Sequence, residues 1–332
     1  MSLLKKLSEK NDLSSEEASQ LAESIINGTM SPLQAGAALT ALKMKGETID
    51  EIFGFAKVLR EHAIKIRPAG KHLVDTCGTG GDGSHTFNIS TASAFIAAGA
   101  GATVAKHGNR SVSGKCGSVD VLEQLGVRMM QPEAVEDCIN KIGIGFMFAP
   151  FFNPVMAKAA PIRKELGIRT VFNVMGPLLS PANCSAQLVG VFSPEMAGPV
   201  AKVLLSLGTE RAIVVNSNGM DEIGLGKTKV SEVNAKKVMN YEIDSNDFGF
   251  GPEKIPVVAS AKESGEIILD LLNGKAGPAR NVCVLNAGAA IYVSGIADSM
   301  KEGVKLAQNS IDSGKAMEKL EQVKNFCREV ET

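Results

Sequence analysis

Asp75-Thr-Cys-Gly78-Thr-Gly80-Gly81-Asp82-Gly83-Ser-His85-Thr-Phe87-Asn88-Ile-Ser90-Thr91 is the stretch whose reading decides the fold. A short apolar run, Leu73-Val74, enters it, and an Ala-rich segment from Ala92 to Ala98 leaves it. Strand, glycine loop and helix in that order predict an α/β unit with a phosphate cradle at the turn. Glycine has no Cβ and accepts positive φ, so backbone N–H groups approach an anion closely. Ser90 and Thr91 are expected to cap the helix and turn its positive end toward phosphate oxygens.

The spacing Gly78-x-Gly80-x-x-Gly83 also satisfies a dinucleotide-binding fingerprint. That fingerprint requires an acid about twenty positions on, at the end of the next strand, to hold ribose hydroxyls. The next strand, 102–105, ends instead in Lys106-His107. A cation where an acid is needed favours phosphate over NAD. Gly226-Lys227-Thr228 is not a Walker loop, because Asp221 stands where its first glycine belongs.

Outward from this stretch the chain alternates strand and helix. Strands are expected at 73–74, 102–105, 145–149, 187–192 and 212–215, helices at 90–98, 118–125, 132–142 and 194–207. Two short runs, 229–232 and 238–242, read as a hairpin, and 258–330 as helical with breaks at Gly274, Gly277 and Gly295. This alternation predicts a mainly parallel sheet with flanking helices. Residues 1 to about 67 read as all-helical, with capping boxes at Ser14-x-x-Glu17, Ser31-Pro-x-Gln34 and Thr48-x-x-Glu51 and helix stops at Gly28 and Gly46. The expected fold class is α/β, a small all-helical N-terminal domain plus a large α/β domain. Pro-interrupted residues 150–185 are expected to pack back on the first helices. The small domain would then hold 1–68 plus about 150–185 and the large one 72–149 plus about 186–332, with hinges near 68–74 and 150–185.

At 332 residues, 44% hydrophobic and 21% charged, the chain is long enough for two cores. A net charge of −1 gives no electrostatic footprint for nucleic acid or an anionic membrane, and two tyrosines without a tryptophan give few base-stacking platforms. Six scattered cysteines without a C-x-x-C pair read as reduced thiols. The first residues lack a signal peptide's long apolar stretch, which predicts a cytoplasmic enzyme.

Several motifs carry a resemblance: Gly78-Thr-Gly-Gly-Asp82-Gly, Phe87-Asn88-Ile-Ser90-Thr91, Lys106-His107-Gly108-Asn109-Arg110, Gly117-Ser118-Val-Asp120, Arg169-Thr-Val-Phe-Asn-Val-Met-Gly176-Pro177 and Asp221-Glu222. In this order, over nearly the whole chain, they resemble the anthranilate phosphoribosyltransferases of tryptophan biosynthesis. Cys116 and Val119 depart from the pattern, where Ser and Ala are expected.

The resemblance implies Mg²⁺-dependent transfer of a phosphoribosyl group from 5-phosphoribosyl 1-diphosphate to anthranilate. It assigns Gly78, Gly80, Gly81, Asp82, Asn88, Ser90, Thr91, Lys106 and Ser118 to the diphosphate sugar, and Asp221 and Glu222, with the Ser90 hydroxyl, to Mg²⁺. Adjacent acids on a loop suit this hard cation, which uses one or two carboxylates plus phosphates and water. For anthranilate the expected residues are Gly78, His107, Asn109, Arg163 and Gly176; the Arg163 guanidinium matches a carboxylate. His107 reads as positioning first and base second, since an arylamine is already unprotonated at neutral pH. Asp120 reads as a helix-start acid, and His62, His72 and His85 as structural or surface residues. The resemblance also implies a homodimer through the first helices. Three rivals stand beside this reading: a pyrimidine nucleoside phosphorylase, a nucleic-acid-binding relative and a dehydrogenase. Intact Lys106-His107 and Asp221-Glu222, the absence of basic surface and the missing acid after the second strand weigh against them in turn.

Overall fold

The computed structural model describes residues 2–70, 73–111 and 116–330. The expectation for His72 falls outside them, as does part of the second Gly/Ser loop. Four helices open the chain: α1 (Leu3–Ser8), α2 (Ser15–Ile26), α3 (Pro32–Lys45) and α4 (Ile49–Glu61). All three capping boxes form, each Ser or Thr hydroxyl accepting from the N–H three residues on while the Glu or Gln reaches back. Gly46 ends α3 at φ 91°, a backbone state that favours glycine.

The sheet follows. Strands β1 (Leu73–Asp75), β2 (Thr103–Gly108) and β3 (Ile144–Phe148) are separated by helices α5 (Ile89–Gly99), α6 (Ser118–Gln124) and α7 (Pro132–Ile142). The Pro-interrupted segment forms short helices, α8 (Ala149–Phe152), α9 (Met156–Leu166) and α10 (Met175–Leu178). Then come β4 (Ala186–Gly190), α11 (Ala197–Ser206), β5 (Arg211–Asn216) and the hairpin β6 (Lys227–Asn234) and β7 (Lys237–Asp244). Helices α12 (Ala261–Leu272), α13 (Pro278–Ser294), α14 (Met300–Asp312) and α15 (Lys315–Glu329) complete the chain. The hairpin is longer than the expected runs; its partly polar, exposed β7 weakens the apolar signal.

The seven strands lie in the order β3-β2-β1-β4-β5-β6-β7. The first five are parallel, and β6 and β7 add antiparallel. Strand order runs outward from β1 through β2 to β3, then restarts on its other side with β4. That reversal opens a crevice beyond the carboxyl ends of β1 and β4, where ligands bind in such sheets.

Side-chain alternation sorts the strands between two cores. On β5, Ile213 and Val215 join α5, α13, α14 and α15 on one face. Ala212 and Val214 join α11 and the N-terminal helices on the other. The 150–185 segment is shared: Phe152, Ala182 and Cys184 belong to the first core, and Ala159, Val171, Phe172, Met175 and Leu178 to the second with the N-terminal helices. Arg60 at the end of α4 fastens them further, its Nε donating to the Leu178 carbonyl at 2.5 Å.

Candidate active site

The glycine loop springs from β1. Gly80, Gly81 and Gly83 have φ of 65°, 71° and 80°, so the turn itself calls for glycine there. Gly78 is needed for space: a Cβ would lie 2.9 Å from Asp221 Oδ2 and 3.3 Å from the Gly190 carbonyl. Thr79 ties the loop to the end of β4. Its N–H donates to the Gly190 carbonyl at 2.9 Å, and its hydroxyl accepts from the Phe192 N–H at 3.0 Å.

Asp221 and Glu222 arrive on the loop between β5 and β6 and meet this cradle. Gly80 N–H donates to Asp221 Oδ2 at 2.6 Å, and Ser90 N–H to Glu222 Oε1 at 3.1 Å. Asp82 accepts from the Asp221 N–H at 3.3 Å and, through its other oxygen, from the Ser84 N–H at 3.1 Å. Burial pushes the Asp221 carboxyl up to about 7, helped by the charge of Asp82. Burial likewise pushes Glu222 up to about 8, helped by Asp221. Asp221 and Glu222, with Asp82 nearby, thus raise one another's pKa in a half-buried place, a repulsion that a cation would relieve. Two carboxylates are fewer than a closed cage needs, and no group of three or more His, Cys, Asp or Glu ligands assembles among the described residues. Mg²⁺ takes few protein ligands and completes its shell with substrate phosphates and water, so this donor set fits it.

Lys106 on β2 supplies the opposite charge. It is 3% exposed, and its Nζ donates to the Thr76 carbonyl and the Ser90 hydroxyl, both at 3.0 Å. No carboxylate pairs with it among the described residues. A buried ammonium held only by neutral oxygens is suited to an incoming anion.

The expected cap of α5 is corrected. Asn88 is the N-cap residue and makes no side-chain cap bond, while Ser90 and Thr91 lie inside the first turn. Instead the Asn88 carboxamide oxygen accepts from Cys116 Sγ at 2.9 Å and Ser264 Oγ at 2.8 Å, which leaves its NH₂ to face elsewhere. Thr91 is fully buried, and its hydroxyl has no hydrogen-bond partner among the described residues. Ser118 opens α6, and its hydroxyl bonds the Asn109 N–H and carbonyl at 3.2 Å. Asp120 accepts from the Gly117 and Ser111 N–H groups, the helix-start role expected of it. Arg110 pairs with Asp120 and Glu123, away from the acid pair.

On the acceptor side, His107 Nδ1 lies 3.1 Å from the Gly176 carbonyl, and a Cβ on Gly176 would lie 3.8 Å from the Gly78 carbonyl. Gly78, His107 and Gly176 are therefore brought together. Asn109 follows on the same chain, with Oδ1 accepting from the Arg110 N–H. Arg163 is on α9, its guanidinium 5.6 Å from the Phe172 ring. It makes no hydrogen bond to His107 or Gly176 and has no acid partner among the described residues. Burial lowers its pKa, as for a cation lacking a counter-ion.

Three contributors were not singled out from the sequence, and a fourth, Arg169, stood in a quoted motif without a role. Asn286 on α13 is fully buried and clamps Ile223, next to the acid pair: its oxygen accepts from the Ile223 N–H at 3.0 Å and its NH₂ donates to the Ile223 carbonyl at 2.9 Å. Ser264 fixes Asn88, and Asn153 meets His107. Arg169 donates to the Gly81 carbonyl and lies 4.4 Å over the Phe192 ring. A polar Asn within the apolar run 282–291 was the one available signal for Asn286; the others bond across 46 to 176 residues, with no local signature.

This geometry belongs to a known class. The helical bundle domain of the glycosyl transferase family matches residues 1–63, and that family's a/b domain matches 70–317. An anthranilate phosphoribosyltransferase from Acetivibrio thermocellus is 50% identical over 329 residues, covering 97% of this chain and 95% of the relative. One from Nitrosomonas europaea is 48% identical over 99% of this chain and 98% of its own. Among solved structures, the anthranilate phosphoribosyltransferase of Thermus thermophilus matches with a TM-score of 0.94 at 40% identity, covering 99% of this chain and all of that one. The Saccharomyces cerevisiae enzyme, solved in complex with PRPP and Mg, matches at 0.89 and 29% identity, covering 99% and 97%. The chain belongs to the anthranilate phosphoribosyltransferase family, and it is an enzyme of that kind.

Proposed function

We propose that this enzyme carries out Mg²⁺-dependent transfer of the phosphoribosyl group from 5-phosphoribosyl 1-diphosphate to the amine of anthranilate. The products are N-(5-phosphoribosyl)anthranilate and diphosphate. The observation that carries this reading is the meeting of buried Lys106, whose ammonium is held by neutral oxygens, and the half-buried Asp221–Glu222 pair at one sheet crevice. The yeast relative bound to PRPP and Mg supports the donor and the ion.

The reaction breaks the bond from ribose C1 to diphosphate, with positive charge growing on the ribose and negative charge on the leaving group. Catalysis is then charge stabilisation and alignment. Mg²⁺, when bound, neutralises the departing diphosphate. Asp221 and Glu222 would hold it, with the Ser90 hydroxyl beside them. Gly78, Gly80, Gly81, Asp82, Asn88, Thr91 and Ser118 line the sugar and phosphates, and Lys106 meets a phosphate as a point charge. Gly78, His107, Asn109 and Gly176 shape the ring site, and Arg163 takes the anthranilate carboxylate.

We propose that the site closes about the acceptor, with Arg163 and His107 on opposite sides of it. We assign residues 1–68 with about 150–185 to one unit and the remainder to another, with hinges near 68–74 and 150–185. Closure would exclude water from an activated sugar. Hydrogen exchange in those segments should slow when both substrates bind; unchanged exchange rejects the closure. We further propose a homodimer through the first helices, supported by Leu33 and Met44 standing exposed on α3, and a cytoplasmic setting, supported by six unbridged cysteines. Sedimentation equilibrium tests the dimer.

The deciding assay follows the loss of anthranilate fluorescence with 5-phosphoribosyl 1-diphosphate and Mg²⁺, beside an Asp221→Asn/Glu222→Gln variant. Magnesium-dependent consumption, lost in the variant, is expected. Folded wild-type protein that binds the diphosphate sugar yet consumes no anthranilate would overturn the acceptor.

A further inference from the structure

His107 is the penultimate residue of β2, 4% exposed and with both ring nitrogens engaged. Nδ1 lies 3.1 Å from the Gly176 carbonyl oxygen, which only accepts, so Nδ1 carries a proton. A neutral imidazole has one N–H, which leaves Nε2 as a lone pair. The atom opposite Nε2 is Asn153 Nδ2, at 3.3 Å, which only donates. The two contacts therefore demand the same tautomer. The reversed carboxamide would set oxygen against that lone pair.

Burial also favours a neutral ring, against the larger of the two nearby charges. Burial disfavours a second proton most, and Lys106 on the same strand works in the same direction. Asp75 opposes them, but its Oδ1 is engaged by the His107 backbone N–H at 3.1 Å. Asn153 itself is 3% exposed, and its side chain makes no other hydrogen bond among the described residues. Its Oδ1 is buried without a donor. A buried amide that leaves its oxygen unpaired costs stability, and the return is a fixed histidine.

We infer that Asn153 is a positioning residue for the acceptor half of the site, locking His107 as a neutral imidazole protonated at Nδ1. Both ring nitrogens are then spent inside the protein. His107 orders the acceptor by its position, and the proton that the amine releases on forming the bond to ribose C1 leaves to the departing diphosphate or to solvent. The inference rests on the transferase reading above.

The test is ¹⁵N NMR of histidine-labelled full-length enzyme, with four histidines to resolve and His107→Gln for assignment. The expected wild-type pattern is protonated Nδ1 and bare Nε2, unchanged from about pH 6 to pH 8. In Asn153→Ala the Nε2 shift should move, and kcat/KM for anthranilate should fall by about tenfold or more while KM for the diphosphate sugar stays within about twofold. The isosteric Asn153→Asp places an acceptor opposite Nε2 and should draw a second proton onto His107 at neutral pH. A wild-type His107 protonated at Nε2 overturns the proposal even if no variant folds. So does an Asn153→Ala enzyme whose kcat/KM for anthranilate is unchanged. Wild-type protein with no turnover of anthranilate removes the transferase reading, and the positioning role with it, whereas the tautomer lock is decided by the NMR pattern alone.

Discussion

The N-terminal helices and the crevice between β1 and β4 solve opposite problems. In the helices, polar groups are satisfied locally: each capping box spans three residues. In the crevice, the bonds that matter cross the chain, from Gly80 to Asp221 over 141 residues and from Ser90 to Glu222 over 132. The helices also hold a buried acid, Glu51, which is fully paired. It accepts from the Leu13 and Thr48 N–H groups and from Lys45 Nζ, all within 2.9 Å. Asp221 and Glu222 are only partly buried, and the charges that act on them include other acids. A buried charge that the fold satisfies supports the fold. One that the fold leaves in want of a cation marks a place where a ligand is expected.

That contrast can be broken most severely at Gly190. A Cβ there would lie 1.5 Å from the Asp221 carbonyl oxygen, backbone against backbone. Gly190→Ala should cost about 3 kcal/mol or more in urea unfolding and remove activity, because the acid loop must leave its place. Near-native stability and turnover would show that the crevice is looser than these contacts imply.

Glu51→Gln comes next and should separate the two regions. Leaving Lys45 without its buried partner should cost about 3 kcal/mol, while kcat per folded molecule stays within about twofold. A loss of kcat at full stability would mean that the helices reach the chemistry by a route the contacts do not reveal.

The acid pair predicts the opposite sign of response. Asp221 and Glu222 have folded pKa values above their unfolded ones, so the native state holds more protons. Their contribution to stability is largest below the unfolded values of 3.8 and 4.5 and is lost as pH rises through about 7 to 8. Metal-free protein should therefore lose thermal stability between pH 6 and pH 9 relative to an Asp221→Asn/Glu222→Gln variant. Added Mg²⁺ should restore it in the wild type alone. Parallel pH profiles for the two proteins would remove the buried-repulsion argument.

The smallest effect is expected at a helix start. Ser14→Ala removes one capping bond and should cost about 1 kcal/mol without changing any kinetic constant. A larger cost would indicate that this turn supports more than its own helix.

Much of this was legible before any contact was known, for reasons that differ by residue. Ser14, Ser31 and Thr48 reveal their helices because the partner lies three positions away. The parallel sheet was legible because apolar runs alternate with helix-spaced ones, and Gly80, Gly81 and Gly83 because a tight turn requires positive φ. The N-cap of α5 was misplaced by two residues: Ser90 and Thr91 are good capping residues by type, but the acid loop and the core claim them. Asn153, Ser264 and Asn286 were not legible as site residues, since each acts only through a partner far along the chain.

The sequence by itself determined the helix boundaries set by local hydrogen bonds, the α/β alternation set by hydrophobic period, and the family set by motifs in fixed order. Tertiary structure alone decided which charges end up together. Strand order restarts at β4, and this brings loops from β1, β2 and the β5–β6 connection to one crevice. There burial raises the Asp221 and Glu222 carboxyls and Gly176 fixes the His107 ring. Desolvation and orientation depend on neighbours in space, and only the folded chain supplies them.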